Sequence, residues 1–338
     1  MSTRACILGC SGLALTPEER AFFREARPWG FILFARNIDS PDQVRSLVDD
    51  LRASVDRPDA PVLVDQEGGR VQRLRPPHWP KYPPARVYGA LPADQGRDIA
   101  RLGARLIAHD LKALGINVDC LPVLDVPAPD SHEVIGDRAY GATPEAVASL
   151  GRAACEGLIA GGVLPVIKHI PGHGRSQVDS HHDLPVVEAS LAELEARDFK
   201  PFRAMSDLPM AMSAHLVYPA IDRKSPATTS RKIIRSVIRD QIGFDGLLMS
   251  DDLSMKALGG SFEDRTRASL AAGCDMVLHC NGEMAEMVAV VSATGELTGL
   301  SARRARAALG RVARDVEPFD VEAGRARFAE ALSDVWVP

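Results

Sequence analysis

The sequence predicts a (β/α)8 barrel, and three observations carry that reading. Short, near-continuous apolar runs alternate with longer amphipathic ones over most of the 338 residues. That alternation is expected of a parallel sheet whose strands are covered on both faces. The polar residues attached to those runs crowd toward their C-terminal ends, where barrels of this class place their chemistry. No glycine-rich phosphate turn follows the first run, as a doubly wound open sheet would carry.

Strands are predicted at 5–9 (ACILG), 30–34 (GFILF), 62–66 (VLVDQ), 118–124 (VDCLPVL), 163–169 (VLPVIKH), 209–216 (PMAMSAHL), 246–251 (GLLMSD) and 275–280 (DMVLHC). Each is too short for a buried helix and too continuously apolar for a surface strand. Helical patterns lie between them at 17–26, 41–54, 94–114, 144–161, 190–206, 231–240, 262–272 and 283–293. Thr16-Pro17-Glu18-Glu19 supplies a cap, a proline at the first helical position and acidic residues in the first turn. Thr143-Pro144-Glu145 and Ser40-Pro41-Asp42 repeat the design. The tail, 301–314 and 320–332, reads as further helices packed on the outside. No Pro-, Gly- or Ser-rich linker divides the chain, so one catalytic domain over 1–338 is expected, with a barrel core at about 5–300 and C-terminal helices over 301–338.

Composition narrows the class. With 46% hydrophobic and 25% charged residues the chain is globular, and at this length it needs no disulfide to be stable. Forty Lys+Arg against 45 Asp+Glu leave a net charge of −5, which gives no general attraction to a phosphate backbone. No nucleic-acid partner is expected. Nor is membrane insertion, since no run approaches the ~18 apolar residues of a spanning helix. The stretch between Arg4 and Cys10 is too short for a signal-peptide core and reads as the first strand. The six cysteines contain no C-x-x-C pair and are expected to be reduced and buried, in keeping with a cytoplasmic protein.

Two long loops, 67–93 with its five prolines and 170–189 with its histidines, are expected to be functional. The strand ends supply the chemistry. The third ends in Asp65 and runs into Gln66-Glu67-Gly68-Gly69-Arg70; the fourth ends in Asp125, with Asp137-Arg138 beyond it. The fifth ends in Lys168-His169, the sixth carries Ser213 and His215, the seventh ends in Ser250-Asp251-Asp252, and the eighth in His279-Cys280-Asn281. Asp119 and Asp275, near strand starts, are exceptions. A buried Lys168 is costly unless it meets a carboxylate or a ligand. Asp65 and Arg73 suit each other as an ion pair, and equally suit a ligand with several hydroxyls. Of Asp251 and Asp252 only one can face the mouth, as a nucleophile or electrostatic stabiliser. The histidines of the 168–182 segment allow two readings. His169, His173, Asp179, His181 and His182 could ligate a metal, or one histidine could be a general acid/base oriented by a carboxylate such as Asp179.

The segment Lys168-His169-Ile170-Pro171-Gly172-His173-Gly174 with Asp179-Ser180-His181 resembles glycoside hydrolase family 3. So do Asp65-Gln66-Glu67-Gly68-Gly69-Arg70-Val71-Gln72-Arg73, Ile135-Gly136-Asp137-Arg138-Ala139-Tyr140, Gly243-Phe244-Asp245-Gly246 and Ser250-Asp251-Asp252-Leu253-Ser254-Met255. More narrowly they are similar to the bacterial cytoplasmic β-N-acetylglucosaminidases of cell-wall recycling. Family members usually carry Phe where this chain has Ile170. The resemblance implies a single barrel that removes terminal β-linked N-acetylglucosamine from muropeptides containing anhydro-N-acetylmuramic acid, with retention through a covalent glycosyl-enzyme intermediate. It implies Asp251 as nucleophile, His181 assisted by Asp179 as acid/base, and Asp65, Arg73, Arg138, Lys168 and His169 as sugar-binding residues. It also implies that no metal or other cofactor is used; a monomer is expected. The alternatives are a metal-dependent barrel hydrolase using His169, His173 and His181, a glycoside phosphorylase on the same scaffold, and a sugar-binding barrel without turnover.

Overall fold

The structure, a computed structural model, describes residues 2–129, 131–176, 184–312 and 316–337. Eight parallel strands close into a barrel: β1 (Arg4–Leu8), β2 (Pro28–Leu33), β3 (Val62–Val64), β6 (Val118–Asp119), β7 (Leu164–Ile170), β8 (Met210–Ser213), β9 (Leu247–Asp252) and β10 (Met276–His279). Two further short strands, β4 (Gln66–Gly68) and β5 (Val71–Gln72), form a separate antiparallel hairpin. The ring closes where β1 pairs with β10, Ile7 opposite Leu278. The runs are apolar through their middles because both faces are buried there. Ile7, Ile32 and Leu63 point into the barrel, where they meet Leu164, Met210 and Leu247. Their neighbours Leu8, Phe31, Leu33, Val62 and Val64 point outward into the layer beneath the helices. The (β/α)8 expectation therefore holds.

Helix starts follow local chemistry. Thr16 caps Pro17–Ala26 in a reciprocal box with Glu19, and Thr143 caps Pro144–Ala160 by accepting from Ala146 N–H. Ser40 departs from expectation and makes no side-chain bond to Pro41–Ser54. The Gln43 amide takes over that corner, accepting from Asp39 N–H at 2.9 Å and donating to the Leu13 carbonyl at 2.6 Å. The predicted 190–206 helix is interrupted by a π-helical turn at Leu194–Asp198, and Ile233–Gln241 is π-helical as well.

One other expectation changes. The run 118–124 is a regular strand only at Val118–Asp119, with an isolated bridge from Val123 to Lys168 beyond it, because Pro122 has no N–H to continue the ladder. The chain still follows β7, through Val166 N–H to Leu121 O at 3.1 Å and Leu124 N–H to Lys168 O at 2.7 Å. The loop 67–93 is ordered by two buried glutamine side chains. Gln66 Oε1 accepts the N–H groups of Arg73 and Leu74 at 2.9 and 3.0 Å. Gln72 donates to the carbonyls of Leu74 and Pro80 and accepts from Tyr82 N–H. Gly68 turns the hairpin at φ 93°, and a Cβ there would lie 2.2 Å from the Pro83 carbonyl oxygen.

At the N-terminal end of the barrel, Asp275 is 2% exposed and fully engaged. It receives Arg239 at 2.7 Å, Arg304 at 3.0 Å, Ser301 Oγ at 2.7 Å and Leu248 N–H at 3.0 Å. Ser301 and Arg304 belong to helix Gly299–Leu309, which is thereby fastened to the barrel floor. All six cysteines are buried. Among the described residues no helix is long and apolar enough to cross a membrane.

Candidate active site

One cleft at the C-terminal mouth of the barrel is lined by Asp65, Arg73, Arg138, Lys168, His169 and Asp251, together with Phe34, His173, Met212, Asp252 and Cys280. Six predicted site residues, drawn from four separate stretches of sequence, thus share one wall. Asp179 and His181, like His182, lie outside the described residues.

The centre of the cleft is a compact charge cluster. Lys168, 2% exposed, donates to Asp65 Oδ1 at 2.8 Å and lies 2.7 Å from Glu67 Oε1. Glu67 also takes a two-pronged contact from Arg138, both N···O distances being 2.8 Å. Arg73 reaches Asp65 Oδ2 at 3.1 Å, and its guanidinium lies 5.0 Å from the centre of the Phe34 ring. Asp65 and Arg73 are thus an ion pair that stands on the cleft wall.

Burial works against ionisation of both carboxylates, but the cations outweigh it. Lys168 and Arg73 hold Asp65 well below the usual carboxylate range, and Arg138 and Lys168 bring Glu67 down to about 2. The same pairing holds Lys168 above its ordinary value despite its burial. The cluster is therefore ionised at neutral pH, and it offers ammonium and guanidinium donors to a polar ligand.

Glu67 and Asp125 were not singled out as site residues from the sequence. Glu67 sits two positions after Asp65 on a chain that stays extended, so both carboxylates fall on one side. That spacing was the available signal. Asp125 was visible at a strand end, but its partners were not. It is fully buried; its Oδ1 accepts His173 N–H at 2.6 Å and its Oδ2 lies 2.7 Å from His169 Nδ1. Burial pulls the His173 imidazole down to about 4, keeping it neutral.

Asp251 and Asp252 end β9. Asp252 is consumed by structure: its Oδ1 accepts Ser254 N–H and Cys280 N–H at 3.0 and 3.1 Å, and its Oδ2 takes Ser254 Oγ at 2.5 Å. Among the described residues Asp251 receives one hydrogen bond, from Asp252 N–H at 2.8 Å. Burial pushes its carboxyl up, but nearby His169 and His215 outweigh this and hold it below the usual range. An ionised carboxylate, with acceptor capacity left over among the described residues, thus lines the cleft. Beneath it, His215 links Thr228 Oγ1 at 2.8 Å to the Asp252 carbonyl at 3.1 Å. Among the described residues no three His, Cys, Asp or Glu side chains converge as a metal site.

These shifts set an acid limit to stability. Glu67 stabilises the fold above about pH 4.5, and that contribution is lost as pH falls toward 2. Neutral His173 adds a penalty that grows from about pH 6.5 down to 4. The melting temperature should be level from pH 8 to 7 and fall steadily between pH 6.5 and 3, by a stability loss on the order of a few kcal/mol. A melting temperature unchanged down to pH 4 would contradict the burial of His173.

A parallel barrel whose mouth gathers an ionised carboxylate and a fan of sugar-compatible donors is a glycosidase architecture. The family model described as the glycosyl hydrolase family 3 N-terminal domain matches residues 14–314. The β-hexosaminidase of Methylococcus capsulatus is 42% identical over 274 residues, 80% of each chain. That of Pseudomonas aeruginosa is 39% identical over 289 residues, 85% of each. Among solved structures, NagZ from Neisseria gonorrhoeae in complex with N-trifluoroacetyl-D-glucosamine superposes with a TM-score of 0.87 at 32% identity, covering 98% of both chains. A family 3 β-N-acetylglucosaminidase from Paenibacillus gives 0.86 at 29% identity, covering 97% of this chain and 67% of that one. The chain belongs to glycosyl hydrolase family 3.

Proposed function

We propose that this family 3 β-N-acetylhexosaminidase is a retaining, exo-acting enzyme. In this reading it frees terminal β-linked N-acetylglucosamine from muropeptides that carry anhydro-N-acetylmuramic acid, as part of cytoplasmic cell-wall recycling. The observation that carries the reading is Asp251, an ionised carboxylate that takes one hydrogen bond among the described residues and shares its cleft with Lys168, Asp65 and Arg138.

Asp251 attacks the anomeric carbon, and the glycosidic C–O bond breaks as a glycosyl ester forms. His181, with Asp179 stabilising its imidazolium, protonates the departing oxygen. The neutral His181 then takes a proton from water, which attacks the anomeric carbon from the face the leaving group vacated and displaces the Asp251 carboxylate. Lys168, Arg73 and Arg138 donate to the sugar hydroxyls, with Asp65 and His169 completing the binding set. Two inversions at one carbon give net retention. The barrel and its C-terminal helices act as one catalytic unit over 1–338, working as a monomer and without a metal. The Neisseria relative's complex with an N-acylated glucosamine supports the choice of sugar.

The test is digestion of a purified N-acetylglucosaminyl-anhydro-N-acetylmuramyl peptide, followed by proton NMR from the first minute, with and without EDTA. The β-anomer of N-acetylglucosamine should appear first, at the same rate in both samples. First release of the α-anomer would rule out retention, and loss of rate with EDTA would return the histidine loop to the metal reading.

A further inference from the structure

His169 lines the cleft but takes no part in the Lys168–Asp65–Glu67 cluster. Its ring Nδ1 faces Asp125 Oδ2 at 2.7 Å. The other Asp125 oxygen accepts two backbone N–H groups, from His173 at 2.6 Å and His169 at 3.3 Å. A carboxylate engaged in this way is an anion and can only accept. The hydrogen between the two side chains therefore belongs to His169 Nδ1, and whenever the ring is neutral its Nε2 carries a lone pair on the side away from Asp125.

Around it, Lys168, Arg73 and Arg138 are donors with no acceptor capacity. They can meet only the lone pairs of a sugar hydroxyl; the hydroxyl hydrogen needs an acceptor, and Asp65, the carboxylate beside them, already takes Lys168 and Arg73. We propose that Asp125 is a positioning residue that holds His169 in the Nδ1–H tautomer, making Nε2 the acceptor for one hydroxyl of the bound N-acetylhexosamine. This deepens the functional reading above and rests on it for the identity of the sugar.

Asp125→Asn tests it. The amide oxygen can keep the backbone N–H groups, but the amide nitrogen then faces His169 Nδ1 as a donor. The ring must accept there, and its hydrogen moves to Nε2, so the cleft nitrogen changes from acceptor to donor. Histidine nitrogen NMR of the neutral ring, assigned by the signal lost in His169→Gln, should show Nδ1–H in the wild type and Nε2–H in the variant. On the full aryl N-acetylglucosaminide, kcat/KM should fall about tenfold to a hundredfold. On a series of monodeoxy substrates, one analogue should be cleaved equally well by both enzymes.

An Nε2–H wild-type ring would overturn the proposal. So would tautomer inversion without kinetic loss, or the same loss on every deoxy analogue, which marks general loosening of the site. If the variant does not fold, the wild-type spectrum and the wild-type penalties on the deoxy series decide the matter. A wild type that cleaves no N-acetylhexosaminide would overturn the functional reading and the sugar contact together, while the spectrum still reads the tautomer independently.

Discussion

Asp251→Asn should lower kcat for p-nitrophenyl β-N-acetylglucosaminide on the order of 10⁴-fold, with the folded state intact. The amide nearly matches the carboxylate in shape, and its oxygen can still accept the Asp252 N–H that Asp251 receives at 2.8 Å. What disappears is the charge. A neutral amide is a poor nucleophile, and it no longer stabilises the positive character that builds on the sugar ring as the bond breaks. The expected loss is therefore much larger than the removal of a binding contact would cause. Asp251→Ala offers a sharper check. Azide placed in the vacated space should attack from the face the carboxylate used and give the α-glycosyl azide. Activity within tenfold of wild type in Asp251→Asn would exclude this carboxylate as the nucleophile.

His181→Ala should divide substrates by the acidity of their leaving groups. p-Nitrophenolate departs without help, so the first step on the aryl glycoside should be nearly unchanged, visible as a burst of p-nitrophenol. The second step needs a base to activate water, so the steady state after the burst should slow. A sugar alkoxide leaves badly without a proton, and on the disaccharide substrate the first step itself should fall by about 10²–10⁴-fold. Equal losses on both substrates would remove His181 from the acid role and turn attention to its neighbour His182.

The sequence carried the barrel because every one of its strands is buried twice over. Residues such as Ile7 and Leu8 face opposite layers yet both must be apolar, so the runs stand out without any alternation. Strand lengths were less legible, since Pro122 stops a ladder without interrupting hydrophobicity. The order in the loop 67–93 was hidden for another reason. It comes from the Gln66 and Gln72 amides bonding to main-chain groups up to ten residues away, and such pairing leaves no periodic trace. Site positions at strand ends, such as Asp65, Lys168 and Asp251, were legible from the architecture alone. Glu67 was not, because its value lies in Arg138, 71 residues further along the chain. Asp125 was seen as a strand end, but its 2.7 Å approach to His169 Nδ1 becomes visible only when distances are known.

The seam of the barrel bears on how the protein is made. Ile7 pairs with Leu278, Arg4 donates to the Thr294 carbonyl at 2.8 Å, and Leu297 N–H reaches back to Thr3 O at 2.8 Å. The first strand to leave the ribosome must therefore wait, with one edge open, until the last has been synthesised. Even then Asp275 lacks Arg304 and Ser301, which arrive only with helix Gly299–Leu309. A nascent chain halted before that helix would hold a buried carboxylate short of two of its partners, which is the kind of state chaperones bind and proteases clear.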